Sequence, residues 1–455
     1  MTRKQRILLA VAGSLVAVAG AVLLLSGSPR VVRADPGTLY VAPPPGGSDG
    51  NPCSLGQPCA TVQHAVDTAI AGDEIHIATG IYTGVQARAG MTQVVYISKT
   101  VTLRGGYSGD FATWDPATYP ATLDAQGQGR VVSIISASDV TLEGLSITGG
   151  NAANAGSGSN PAGAGGGIYA ASDAGITLIS DRIYSNTASY GGGAWFYLSY
   201  GARLESNDIH SNTAAVQGGG IGSQYGQVLV LTDNRVFDNA AEGASGGGLY
   251  LFDADGSTLT RNEIISNTAD DWGGAIFFSA STDVTLENNV IAGNYGTAAI
   301  YLHQSGNSHI VHTTIARNDV NSAGVYLSEG AYWLTNTILV SHTVGIRVQP
   351  GATATLAATL WGTATWANDT DWTNNGTLIT GTLNWWESPD FANPDGWDYH
   401  IGASSGALDR GVNAGVSTDI DGEPRFCSPP DLGADEYWPP GTPSCIYLPL
   451  ALRND

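Results

Sequence analysis

Lysine is almost missing from this chain: Lys4 and Lys99 are the only two in 455 residues. Charged residues make up 13%, and acids outnumber bases so far that the formal net charge is −22. The basic surface that nucleic acid requires is therefore excluded, and no nucleic-acid partner is expected. Cysteine is scarce too. The four present are Cys53, Cys59, Cys427 and Cys445. They form no Cys-x-x-Cys, so no zinc site of that type is expected and no metal ligands are assigned. An even number placed near the two ends reads as two local disulfides of an exported chain, Cys53–Cys59 and Cys427–Cys445. The eight histidines are scattered, and no Ser/His/Asp arrangement stands out among them.

Long apolar runs are missing everywhere except at the start. Arg3, Lys4 and Arg6 precede an apolar stretch from Ile7 to Leu25, and Val32-Arg33-Ala34 is a small-residue cleavage pattern. This reads as an export signal over 1–34 with a mature start near Asp35. The stretch is also long enough to span a bilayer if it is retained. A secreted or cell-surface location is the expectation, with the membrane involved only through the signal or an anchor.

What the chain has in abundance is glycine, 61 residues of it, much of it in clusters that open a repeated unit. Gly165-Gly166-Gly167 is followed by Ile168-Tyr169, and comparable openings stand at Gly191, Gly218, Gly246 and Gly273. Closing asparagines keep step at Asn186, Asn212, Asn239, Asn267, Asn294 and Asn318. A period in this range signals a solenoid. Aligned on the closing Asn, one column reads Leu178, Leu204, Leu231, Leu259, Leu286 and Ile310. A second reads Ile183, Ile209, Val236, Ile264, Ile291 and Ile315. A third, polar, column reads Asp181, Asn207, Asn234, Asn262, Asn289 and Thr313. Aliphatics at fixed slots on short segments between Gly and Asn turns are inward positions of strands too short to be helices. Each coil then holds about three strands, each pairing with its equivalent one coil on at ~4.8 Å. The crossover rule makes the winding right-handed. The expected fold is all-β, a right-handed single-stranded parallel β-helix. The asparagines read as corner residues in or near the left-handed region, stacking amide on amide. Arg182, Asp208, Arg235 and Glu263 form a column of alternating charge that should bring opposite charges onto adjacent strands.

The chain divides in this reading into 1–34 signal, 35–75 N-terminal cap with the Cys53–Cys59 loop, 76–380 β-helix, 381–437 C-terminal cap module and 438–455 Pro-rich linker and tail. One helix, Thr61 to Ala71, is expected to cover the open end of the solenoid, because Val62, Val66, Ala69 and Ile70 share a face and Gly72 stops it. Strands are expected at Glu74–Ala78, Val94–Ile97 and Val101–Arg104, an irregular insertion over Tyr107–Gly129, and regular coils again from Val131. The six tryptophans from Trp361 to Trp397 read as a cap closing the core.

The entry segment, Tyr40-Val41-Ala42 with Cys59 to Val66, Gly72-Asp73-Glu74-Ile75 and Gly80-Ile81-Tyr82, resembles that of secreted bacterial right-handed β-helix proteins of the pectate-lyase-like superfamily. The segments around Leu408 to Asn413, Asp419 to Arg425 and Asp431 to Tyr437 resemble the closing module of anchored surface β-helix proteins. The Gly273 to Ile276 type of repeat is similar to that of outer-membrane adhesins. The resemblance implies the fold and hardly an activity; an extracellular polysaccharide, a cell-surface glycan or a partner surface is expected instead from the aromatic column after the glycines. The superfamily's catalytic signatures are missing: there is no Gly-His-Gly and no Gly-Arg-Pro-Trp segment, and Lys99 is the single lysine of the mature chain. Asn267-Thr268-Ala269-Asp270-Asp271 is close to a polygalacturonase segment, but Asn186-Thr187-Ala188 occupies the same repeat slot. Asp253-Ala254-Asp255-Gly256 opens like a calcium loop and lacks the later ligands, so Ca2+ is a weak alternative to no cofactor.

The functional candidate is the column after the glycines: Tyr169, Trp195, Gly222, Tyr250, Phe277, Tyr301, Tyr326 and Arg347. It alternates with inward Ile168, Ala194, Ile221, Leu249, Ile276, Ile300, Val325 and Ile346 and should therefore point out. Tyr197, Gln224, Phe252, His303 and Gln349 are the next outward positions. Tyr169, Trp195, Tyr250, Phe277, Tyr301 and Tyr326 are the candidate carbohydrate-binding residues of a monomeric rod; the alternative is that they stack on each other and stiffen the sheet. A polysaccharide lyase, glycoside hydrolase or epimerase is the other class, with acids from Asp253, Asp255, Asp270, Asp271 and Asp283. Catalytic residues stay unassigned.

Overall fold

The computed structural model of the chain describes residues 36–439, apart from 154, 156–157, 173, 227, 319–322 and 426–428. The expected signal, Cys427 and Cys445 lie outside the described residues. The described chain is a right-handed parallel β-solenoid of about 11 turns. Three strands per turn stack on their equivalents. The leucine-column and isoleucine-column strands join into one 23-stranded sheet, and the strands after the glycines form a 12-stranded sheet. A small four-stranded sheet, Thr187–Tyr190 to Thr268–Ala269, lies between them.

The sequence columns are the observed register. Leu178 pairs with Leu204, then Leu231, Leu259, Leu286 and Ile310. Ile183, Ile209, Val236, Ile264, Ile291 and Ile315 do the same. All of these side chains are buried in one continuous core. Arg182 pairs with Asp208, Asp208 with Arg235, and Arg235 with Glu263, the last two joined by an ion pair at 2.9 Å.

The closing asparagines form a buried amide ladder. Asn186 Nδ2 donates to Asn212 Oδ1 at 3.0 Å, Asn212 to Asn239 at 3.0 Å, and Asn239 to Asn267 at 2.9 Å. Each Nδ2 also reaches a strand carbonyl, as Asn212 does with Ile183 O at 2.8 Å. The left-handed residue at this corner is the one before the asparagine: Ser185, Ser211, Asp238 and Ser266 have φ of 53°, 54°, 52° and 55°. The amide thus serves by its hydrogen bonds rather than by tolerance of positive φ. His342 continues the ladder, with Nε2 3.2 Å from Asn318 Nδ2, and burial lowers its pKa to about 4.

Glycine opens each repeat because neighbouring coils touch there. A Cβ on Gly192 would lie 2.6 Å from Gly219 O, and Gly191 has φ +61°. The helix spans Val62–Thr68 and is capped by Thr61, whose hydroxyl accepts from His64 N. Cys53 and Cys59 are joined in a disulfide beside it. The early strands are Asp73–Ala78, Met91–Ile97 and Val101–Tyr107; the insertion contributes one strand, Ala121–Asp124, and coils resume at Arg130–Ile135.

The C-terminal end departs from expectation. Trp361 does close the core, fully buried against Trp372. The module from Phe391 to Tyr437, however, lies along the side of the solenoid. Phe391, Tyr399, Ile401, Leu432 and Ala434 pack on the outward face of the isoleucine strands, against Val290, Ala316, Ile338 and Val340. Apolar residues at outward positions of those last coils are what make this docking favourable. Arg425 fastens it: its side chain is fully buried, paired with Glu436 at 3.0 Å, and donates to Ala434 O and Asn288 Oδ1.

Candidate functional site on the aromatic face

Strand alternation places the aromatic column outside the core, and the ladder is continuous. Tyr169 pairs with Trp195, Trp195 with Gly222, Gly222 with Tyr250, Tyr250 with Phe277, Phe277 with Tyr301 and Tyr301 with Tyr326. The exposure expected of it is not found. Trp195 is 0% exposed, Tyr169 2%, Tyr250 6% and Tyr301 9%; Phe277 and Tyr326 are half-buried.

Two things cover the column. The rings stack on one another: Trp195 on Tyr250 at 6.2 Å, and Tyr250 on Phe277 at 5.4 Å. Gly222 makes the first of these contacts possible, because its missing side chain is the space Trp195 occupies; a Cβ there would sit 2.1 Å from the indole. The segment before the first repeat folds over the Tyr169 end of the column. Asn160 N donates to Tyr169 Oη at 2.8 Å. Arg130, fully buried, holds that segment by Nε to Ala164 O at 2.7 Å, Nη1 to Ala155 O at 2.9 Å and Nη2 to Ser159 Oγ at 2.7 Å. Burial pushes the Tyr250 hydroxyl up to about 12. The column is therefore a second, outer core.

The next outward column is the accessible one. Tyr197, Gln224 and Phe252 are in register and half-buried. Tyr225, 40% exposed, stands at the strand end with its ring edge-on to Tyr197 at 6.0 Å and to Phe252 at 5.3 Å. Tyr197, Tyr225 and Phe252 thus make an aromatic ridge across three coils. Asn160 Nδ2 donates to Tyr197 Oη at 2.7 Å and fixes its first ring. Tyr225 escaped the sequence columns because it lies at a corner, with φ 56°, where the alternation of the strand ends.

Further along the same face, polar groups gather around Tyr301. His303 Nδ1 is 2.8 Å from Ser328 Oγ, and Tyr301 Oη lies 3.4 Å from both. Trp272 packs on Tyr301 and Tyr326 at 4.8 and 5.4 Å, and the Arg347 guanidinium sits 5.7 Å from the Tyr326 ring centre. Desolvation raises the pKa of Tyr301 and of neighbouring Asp271. Trp272 precedes the glycine cluster and carried no periodic signal.

The five loop acids do not converge. Asp270 and Asp271 precede the strand Ile276–Ser279, whereas Asp253, Asp255 and Asp283 lie at the opposite end of these strands. Asp255 Oδ1 accepts from Thr282 N at 2.6 Å, and Asp283 accepts from Asn307 Nδ2, so both serve as corner ties between coils.

The fold is shared with known proteins. A pectate lyase, Pel9A, superposes with a TM-score of 0.53 at 13% identity, over 89% of this chain and 97% of that one. The periplasmic alginate epimerase AlgG gives 0.43 at 12%, over 72% and 82%. XylC, solved with xylose, gives 0.40 at 10%, over 78% and 87%. At 13% identity the likeness to Pel9A is one of fold alone. No curated protein matches the chain in sequence. The right handed beta helix region family matches residues 124–245 and 239–359, more than half of the chain, and to that family the protein belongs.

Proposed function

We propose that the protein is a non-catalytic, exported binder of an extended neutral polysaccharide, which lies along the ridge of Tyr197, Tyr225 and Phe252. The observation that carries this is the exposure of Tyr225 between two half-buried rings at coil spacing. Solvent-facing rings offer apolar faces to sugar rings, and Gln224 beside them offers an amide for hydroxyls. Net charge chooses among glycans. A polyuronate would approach a chain of charge −22, and the single cation on the described aromatic columns outside the covered segment is Arg347. Repulsion of that kind disfavours a polyanion. The Cys53–Cys59 disulfide and the basic, then apolar, N-terminal sequence support export.

Affinity electrophoresis against neutral and uronic polysaccharides tests the reading. The wild-type chain is expected to be retarded by a neutral glycan, and the Tyr225→Ala/Phe252→Ala variant to run freely. Equal retardation of both sinks the ridge as the site.

A second reading rests on the hydrogen-bonded Tyr301, His303 and Ser328 beside Asp271 and Arg347. Hydroxyl, imidazole and carboxyl groups with a neighbouring guanidinium form an acid–base set for a polysaccharide-active enzyme. New unsaturated products or reducing ends that disappear in His303→Gln would establish it in place of the first.

A further inference from the structure

The side-docked C-terminal module contains a cluster unrelated to the aromatic face. Its strand Asp398–Ile401 presents His400 at a cavity of about 240 Å³ between module and solenoid, lined among others by Arg235, Glu263, Trp397, His400 and Asp435. His400, Asp421 and Asp435 each offer a ligand atom there, all within 4.8 Å of one another. His400 Nε2 is 2.7 Å from Asp421 Oδ2, and Nδ1 is 2.6 Å from Asp398 Oδ1.

Asp435 is the second, independent observation. It is only 6% exposed. Its Oδ2 accepts from Ile401 N at 2.7 Å, and its Oδ1 takes no hydrogen bond from any described residue, although the carboxylate lines the cavity. Its other oxygen is thus open to a cation from the cavity side, which would offset the cost of holding so nearly buried a carboxylate. The protein's own cations beside it are already shared with other carboxylates. Arg235 is paired with Glu263, and the His400 ring is shared by Asp398 and Asp421. Asp419 and Glu423, which face the cluster from the same turn as Asp421, add further negative charge.

We infer that His400, Asp421 and Asp435 bind a divalent transition-metal ion, zinc before others. One imidazole with two carboxylates is a zinc-type donor set, whereas calcium and magnesium take oxygen alone. Asp398, behind the ring, holds Nδ1–H and so turns Nε2 toward the ion, the usual role of a carboxylate partner to a metal-bound histidine. The three ligands come from three separate segments of the module: the strand at His400, the turn at Asp421 and the loop at Asp435. The ion would tie these together and leave a fourth position open to the cavity.

The test is calorimetric titration of the chelator-stripped full-length protein with ZnCl2, and separately with CaCl2. One zinc per chain is expected, bound more tightly than calcium. His400→Gln and Asp421→Asn are expected to abolish that site, and Asp398→Asn to weaken it by about 10–100-fold. His400 and Asp421 are half exposed, so thermal unfolding of these variants in chelator should match the wild type and show them folded. No zinc uptake up to millimolar concentration, tighter calcium than zinc, or uptake unchanged in both variants would overturn the assignment. His400 would then be an imidazolium shared by two aspartates.

Discussion

Asp181 occupies a place built for asparagine, and replacing it should stabilise the protein in a pH-dependent way. In its column, Asn207 Nδ2 donates to Leu178 O at 3.0 Å and to Asn234 Oδ1 at 2.9 Å; Asn234 repeats the pattern with Leu204 O and Asn262. The equivalent carbonyl for Asp181 belongs to Leu142, which pairs with Leu178 in register. Asp181 Oδ1 accepts from Leu145 N at 2.8 Å, as the ladder requires. Its Oδ2 stands where an N–H should be, buried and without a partner. Burial raises its pKa well above the usual carboxylate value. A carboxyl with a raised folded pKa favours the fold below the unfolded value of about 3.9, and that contribution is lost as pH rises through the folded pKa. Asp181→Asn supplies the missing donor at every pH. Near pH 7.5 it should gain about 1–3 kcal/mol, the cost of one unsatisfied buried polar group. For a chain of this length that is roughly 1 °C in Tm per kcal/mol. Denaturant unfolding of both proteins from pH 3.5 to pH 8 is the assay. The gain should shrink toward zero below about pH 4, where Asp181 carries its own proton. A variant less stable than wild type, or a gain equal at both ends of the range, refutes the reasoning.

Three further outcomes follow from the same contacts. Asn234→Asp, the converse change two coils on, should destabilise at neutral pH by a similar amount, about 1–3 kcal/mol, and recover in acid; unfolding curves at pH 4 and pH 7.5 check it. Gly222→Ala puts a methyl into the Trp195 indole and should cost about 1–3 kcal/mol, read by denaturant midpoint, whereas a neutral result would mean that the outer core is loosely packed. Arg130→Met leaves Ala155 O, Ala164 O and Ser159 Oγ without their donors and should cost about 2–4 kcal/mol. Limited proteolysis should then cut within 151–165 faster than in the wild type.

The solenoid was legible in the sequence because its physics is local and periodic. A one-residue slip would turn Leu204 or Ile209 outward, so columns such as Leu178 to Ile310 define the register on their own. Arg235 and Glu263 were placed correctly for the same reason. The burial of Tyr169 and Trp195 was not legible. It depends on Arg130 and on Ala155, Ser159, Asn160 and Ala164, which lie outside the repeat and fold back over the sheet. Alternation states which way a side chain points, and what lies over it is a separate matter. The docking of the C-terminal module was hidden likewise, because its contacts join residues far apart in sequence. Ala434 N reaches Thr314 Oγ1 across 120 positions, and Arg425 reaches Asn288 across 137. The His400 cluster inherits that difficulty: Asp421 and Asp435 follow it at 21 and 35 positions with no metal-ligand spacing to mark them.

The central claim, that the ridge on the aromatic face holds a neutral polysaccharide, is tested most directly by hydroxyl-radical footprinting with and without the retained glycan. Tyr197, Tyr225 and Phe252 should be protected together, while exposed rings away from the face, such as Trp114 and Trp397, keep their reactivity. Protection centred on Trp397, or no change at Tyr225 under conditions where the glycan is bound, would contradict the account.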